Sequence, residues 1–108
     1  MKSESLRSEY RAYFGLSNKN GKISKKSFKD FIWRAYFTGA NDYTLHYAHG
    51  NWKGVAEKTA IITVIAHPDD SVVIDLRNLA QYYAESFEQE CVLMTCTPLL
   101  SSELIKPR

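Results

Sequence analysis

The chain has 108 residues, of which 44% are apolar and 24% charged, and its formal net charge is +2. That balance suits one hydrophobic core and excludes wholesale disorder. It also excludes an acidic protein that imitates DNA, and it lacks the clustered basic footprint of a nucleic-acid binder. A chain this short divides poorly, so one domain over 1–108 is expected, with an ordered core at about 8–98 and flexible segments at 1–7 and 101–108. The Lys-rich stretch Lys19–Lys29 reads as the solvated side of a loop and helix.

Met1, Lys2, Ser3 and Glu4 carry no apolar leader, and the longest apolar run, Ala60–Ala66, is too short to span a bilayer. No membrane association and a cytoplasmic location are the expectation. Cys91 and Cys96 stand at odd separation within one predicted strand. They would face opposite ways, unable to bond each other, and read as reduced core residues.

Tyr10, Ala12 and Phe14 alternate with Arg11 and Tyr13, predicting a first strand that ends at Gly15. Asn18, Asn20 and Gly21 mark a turn. Ser24 then caps a helix whose apolar residues Phe28, Phe31, Ile32 and Ala35 fall at helical spacing, and Gly39-Ala40-Asn41 stops it. A second strand runs from about Tyr43 to His49, and Gly50–Gly54 makes a hairpin-like connection. The third strand, Thr59–Ala66, is apolar on both faces and should be central. Pro68, Asp69 and Asp70 open a second helix striped with Val72, Val73, Leu76, Leu79, Ala80, Tyr83 and Phe87. A last strand covers Cys91–Thr97 and stops at Pro98. The order βαββαβ, with right-handed crossovers, gives an α+β ferredoxin-like sandwich: a four-stranded antiparallel sheet with both helices on one face. Ile61, Ile62, Val64, Ile65, Val92 and Met94 then place apolar groups on both faces. An uncovered apolar face of that kind predicts a homo-oligomer.

Candidate chemistry is sparse. His46 and His49 face opposite ways on one strand, and no Cys/His zinc spacing exists, so no metal site is expected. Asp69 and Asp70 beside His67 read as helix caps. There is no Gly-x-Ser-x-Gly elbow and no Gly-rich phosphate loop, which also argues against a nucleotide-binding methyltransferase fold. Trp52 and the tyrosines suit either base stacking or a core. Glu57 opens the central strand, and Glu88 and Glu90 flank Gln89 after the second helix. Each taken alone reads as a solvated acid.

Two motifs change their weight. Glu57-Lys58-Thr59 at a strand start, followed after a helix by Phe87-Glu88-Gln89-Glu90-Cys91-Val92-Leu93, resembles the phage-encoded S-adenosylmethionine (SAM) lyases, formerly called SAM hydrolases. The resemblance covers roughly the second half of the chain. It implies cleavage of SAM to homoserine lactone and methylthioadenosine, without metal or cofactor, by a trimer with sites between subunits in the host cytoplasm. It implies Glu57 and Glu88 as substrate anchors, with Tyr47 as the associated tyrosine or, if the segment slips, Tyr43. A second resemblance, to small bacterial proteins of unknown function, rests on Tyr13-Phe14-Gly15-Leu16-Ser17, Gly50-x-Trp52, His67-Pro68 and Phe87-x-Gln89-Glu90. It implies a non-catalytic oligomeric binding protein as the alternative.

Overall fold

The computed structural model describes residues 6–35 and 42–108. In chain order the elements are β1 (Ser8–Gly15), β2 (Ser17–Asn18), β3 (Gly21–Lys22), α1 (Lys25–Ala35), β4 (Thr44–Trp52), β5 (Val55–Ala66), α2 (Ser71–Ser86) and β6 (Leu93–Pro98). The main sheet has the order β4-β5-β1-β6, and every neighbouring pair is antiparallel. This is the ferredoxin-like arrangement expected from the element order. The small hairpin β2–β3 was not predicted and occupies the expected Asn18–Gly21 turn. The predicted stop of the first helix, Gly39-Ala40-Asn41, lies outside the described residues.

Local signals place the helices. Ser24 Oγ accepts from the Ser27 amide at 3.0 Å, closing the first turn of α1. At α2 the cap is Asp70, whose carboxylate accepts from the Val72 amide at 3.3 Å. Val73, Leu76, Leu79, Ala80 and Tyr83 then fall on the buried side of α2. They share one core with Phe28, Phe31 and Ile32 of α1 and with alternate residues of the sheet, including Tyr10, Ala12, Phe14, Ala60, Ile62 and Val64. Both helices therefore cover one face. Phe14, Phe28, Phe31, Tyr83 and Phe87 pack mostly edge-to-face, with centroids 4.6–5.6 Å apart. Such pairs add about 0.5–1.5 kcal/mol each beyond area burial.

The other face carries the row His46, Ile61, Tyr13 and Leu93 across the four strands, read from the register. Ile61 is buried there but stands apart from the core beneath the helices. Ile65 and Leu93 on this face remain half exposed. The apolar residues of β5 thus divide by parity, Ile62 and Val64 toward the helices and Ile61 and Ile65 away from them.

Three local expectations need correction. The strand β4 continues through Gly50 and Asn51 to Trp52, because the connection is only Lys53-Gly54. Both residues have positive φ, 51° and 82°. This two-residue turn matches the right-handed twist of the strands and lets the ladder close at Trp52–Val55. The last strand begins at Leu93, so the parity argument does not reach Cys91. Both cysteines are exposed, not buried. The reason is position: Cys91 precedes the strand, and Cys96 sits on the sheet's edge strand, beyond the cover of the helices.

Candidate functional site

The β4–β5 hairpin extends past the end of β1, and the segment after α2 passes the same end of the sheet. Between them lies a cleft of about 690 Å³, within the ordinary range for small-molecule sites. Its floor is the uncovered sheet face at Tyr13, Gly15, Glu57 and Thr59. Trp52, Lys53 and Val55 form one wall, and Glu88, Gln89 and Glu90 the other.

Glu57 sits at the base, half-buried, and accepts a hydrogen bond from the Ser17 hydroxyl at 2.9 Å. Among the described residues no lysine or arginine forms an ion pair with it. Gly15 lies against it: a Cβ added there would stand 2.6 Å from Glu57 Oε2 and 2.8 Å from Gln89 Oε1. Gly15 is thus required by close approach, its missing side chain making room for two polar groups. The Gly15 carbonyl accepts from the fully buried Tyr83 hydroxyl at 2.6 Å. Gln89 Nε2 donates to the Ser17 carbonyl at 2.7 Å and Asn18 Nδ2 to the Phe87 carbonyl at 2.8 Å. The segments 15–18 and 87–89 are in this way stitched together beneath the cleft.

Glu88 arrives by a different route. Helix α2 ends with the Phe87 amide on the Tyr83 carbonyl and the Gln89 amide on the Ala84 carbonyl, 2.9 Å each, a Schellman-type closure. That closure puts Glu88 at the left-handed position, φ 51°, where glycine is the unstrained choice. A left-handed non-glycine residue costs about 1–2 kcal/mol. Its side chain is held from outside, with Asn20 Nδ2 donating to Oε1 at 2.6 Å and Lys19 Nζ 3.7 Å from Oε2. Glu90 pairs with Lys53 at 2.9 Å, which raises the lysine pKa, and the Lys53 ammonium lies 5.8 Å from the Trp52 ring centre.

Of the residues singled out from sequence, Glu57 and Glu88 meet in this cleft. Tyr47 and Tyr43 do not. Gly50 pairs with Glu57 on the cleft side, whereas Tyr47, at odd separation from Gly50, pairs with Ala60 on the helix side. There the Tyr47 ring lies beneath Lys25 Nζ at 4.4 Å, and burial raises its pKa. Tyr43 is likewise packed against the core under the helices. Among the described residues Tyr13 is the tyrosine that lines the cleft. Glu90 lines the cleft as well, three residues before the last strand starts. Sequence reasoning did not single out Gly15, Ser17, Tyr83 or Gln89 for the site. A signal existed: of the four segments that carry the second resemblance, the fold brings Tyr13–Ser17, Gly50-x-Trp52 and Gln89-Glu90 to the cleft, while His67-Pro68 lies elsewhere. Among the described residues no three His, Cys, Asp or Glu side chains cluster as a metal site would require.

Burial, and then the nearby Glu57 carboxylate, push the Tyr83 pKa far above its usual 10.0. A raised folded-state pKa means that its stabilisation is whole below about pH 10 and is lost as pH climbs toward the folded value. Tyr83→Phe should therefore flatten the alkaline limb of the stability curve above pH 10, as measured by urea unfolding. At neutral pH it should cost about 1–3 kcal/mol for the carbonyl left without its buried donor.

The fold and the cleft define a ferredoxin-like protein with a carboxylate-lined site on its uncovered sheet face. Residues 9–102 match the family described as "Protein of unknown function (DUF3574)", and the chain belongs to that family. A solved structure of a phage SAM lyase in complex with S-methyl-5′-thioadenosine shares the fold, with a TM-score of 0.56 and 14% identity. The match covers 91% of this chain and 85% of that one. No curated protein matches the sequence. Among the described residues no helix is long and apolar enough to cross a membrane.

Proposed function

We propose that this chain is a SAM lyase, cleaving SAM to L-homoserine lactone and 5′-methylthioadenosine. The observation that carries the reading is the convergence of Glu57 and Glu88, from two separated motifs, on one cleft in a fold shared with a phage SAM lyase. The substrate carries a sulfonium and an ammonium, and Glu57 offers a half-buried carboxylate whose partner is a neutral hydroxyl.

The reaction needs no nucleophile from the protein. The substrate carboxylate attacks its own γ-carbon, the carbon–sulfur bond breaks, and the electron pair remains on sulfur as a neutral thioether. Holding the chain bent for that attack supplies up to ~7–11 kcal/mol in ideal cases. Glu57 and Glu88 anchor the ammonium and the ribose hydroxyls, leaving the carboxylate free. Tyr13 replaces Tyr47 as the ring near the sulfonium, a contact worth roughly 0.5–2 kcal/mol. Positive charge disappears as the bond breaks, so a partly dry floor favours the transition state. In this reading the protein works as a trimer with sites between subunits, in a phage host's cytoplasm, where removing SAM protects against SAM-dependent restriction.

The alternative, a non-catalytic binding protein, has one observation in its favour: Glu88 is already engaged by Asn20 and Lys19. Incubating pure protein with SAM and identifying products by mass spectrometry separates the two. Homoserine lactone and methylthioadenosine should appear at equal rates, unaffected by EDTA. Intact SAM after prolonged incubation overturns the lyase reading, and turnover abolished by EDTA and restored by a divalent ion overturns its metal-free chemistry.

A further inference from the structure

The segment after β6 has neither helix nor strand, yet it is apolar at intervals. Leu100, Leu104 and Ile105 are 92%, 88% and 78% exposed. Single exposed leucines are ordinary, but three within six positions on one irregular segment are not. The root of the segment is fixed: the Leu99 amide donates to the Arg7 carbonyl at 3.0 Å, and Arg7 Nη1 donates to Ser102 Oγ at 3.4 Å. The arm therefore leaves the sheet where β1 begins, at Ser8–Pro98.

At the opposite end of the sheet, beyond Gly15–Thr59, the cleft rim exposes a second apolar set. Trp52 is 45%, Val55 66% and Leu93 55% exposed. The radius of gyration, 15.4 Å, exceeds the about 13 Å of a compact chain of this length. The molecule is correspondingly elongated, 54 × 30 × 30 Å. Ten residues from Leu99 reach about 33 Å when extended, enough to cross the roughly 15–20 Å width of a four-stranded sheet.

We infer that the arm Leu99–Arg108 of one copy packs on the cleft rim of a second copy, its Leu100, Leu104 and Ile105 covering Val55, Leu93 and the Trp52 ring. The two apolar sets lie at opposite ends of the sheet, so the contact is head-to-tail. Such contacts close into rings when the rotation between copies allows. The arm then forms an outer wall of the neighbour's cleft and keeps water from it. This inference specifies the contact within the proposed oligomer and does not depend on lyase activity.

The test uses the full chain and a variant ending at Leu99, compared by sedimentation at micromolar concentration. The full chain should sediment as a multiple of 12.4 kDa, and the shortened one as a monomer with an unchanged circular dichroism spectrum. Placement is tested in full-length chains carrying Cys91→Ser and Cys96→Ser. One batch bears Val55→Cys and another Leu104→Cys, and the two are mixed with a short bis-maleimide. A covalent heterodimer is expected on mixing. A monomeric full chain overturns the inference, as does a shortened chain of unchanged oligomeric state, or an assembly that yields no heterodimer. If the shortened variant fails to fold, the cross-link in the full chain decides.

Discussion

Glu57→Gln is expected to cut SAM turnover by about ten- to a hundredfold while leaving the fold intact. The substitution keeps shape and keeps an acceptor for the Ser17 hydroxyl, but it removes the charge. An anchor for a cationic substrate loses a charge-assisted hydrogen bond of roughly 1.5–3 kcal/mol, which sets the size of the effect. Glu88→Gln should lose activity in the same range. Glu88→Gly is the sharper companion, because glycine is at ease at φ 51°. That variant should be at least as stable as the parent in urea unfolding and still be impaired in turnover, a pattern that a merely structural glutamate does not produce. Glu90→Gln is no neutral control, since Glu90 shares the cleft and holds Lys53. Glu85→Gln, on the exposed surface of α2, serves instead. Equal rates in all these variants and the parent would remove Glu57 and Glu88 from the site.

Gly15→Ala should be damaging out of proportion to one methyl group. The new carbon would lie 2.6 Å from Glu57 Oε2 and 2.8 Å from Gln89 Oε1. Gly15 is itself buried in the ladder between Thr59 and the Tyr83 hydroxyl, so its backbone has little room to withdraw. Overpacking at such a place costs about 1–3 kcal/mol, and whichever side chain yields leaves its position on the cleft floor. The expected result is a lower urea midpoint together with turnover reduced toward that of Glu57→Gln. Adding Glu57→Ala to Gly15→Ala should recover part of the stability, because the colliding carboxylate is gone. A coupling of about 0.5–3 kcal/mol is expected between two groups in contact. Strictly additive effects, with the carboxylate indifferent to the added methyl, would show that the close approach does not hold Glu57 in place.

Much of the architecture was legible in the residues. Ser24 and Asp70 announced the helix starts, because a side-chain acceptor satisfies amides that the first turn leaves open. The stripe from Val73 to Tyr83 fixed the buried side of α2, and the two-sided apolar run Ile61–Ile65 placed β5 inside the sheet. The βαββαβ order with right-handed crossovers then left the ferredoxin-like sheet as the natural closure. What escaped was local and short. Lys53-Gly54 hid in a longer Gly-flanked stretch, and Asn18–Gly21 formed a hairpin too small for periodicity to register.

The site divides along a similar line. By itself the sequence determined that Glu57 lies near the start of an apolar strand and that Glu88 follows an apolar helix. Tertiary structure alone decided that these ends meet, because only strand order and register bring β1, β5 and the end of α2 to one edge. Register also puts Tyr13 in the cleft and Tyr47 outside it: with Gly50 opposite Glu57, strand alternation sends Tyr47, opposite Ala60, to the helix side. A one-residue shift in pairing would have reversed that choice, and no propensity in the chain reports it. Gly15 was readable from sequence only as a strand terminator. Its demand for empty space comes from Glu57 and Gln89, residues 42 and 74 positions away along the chain, and exists only once the sheet has formed.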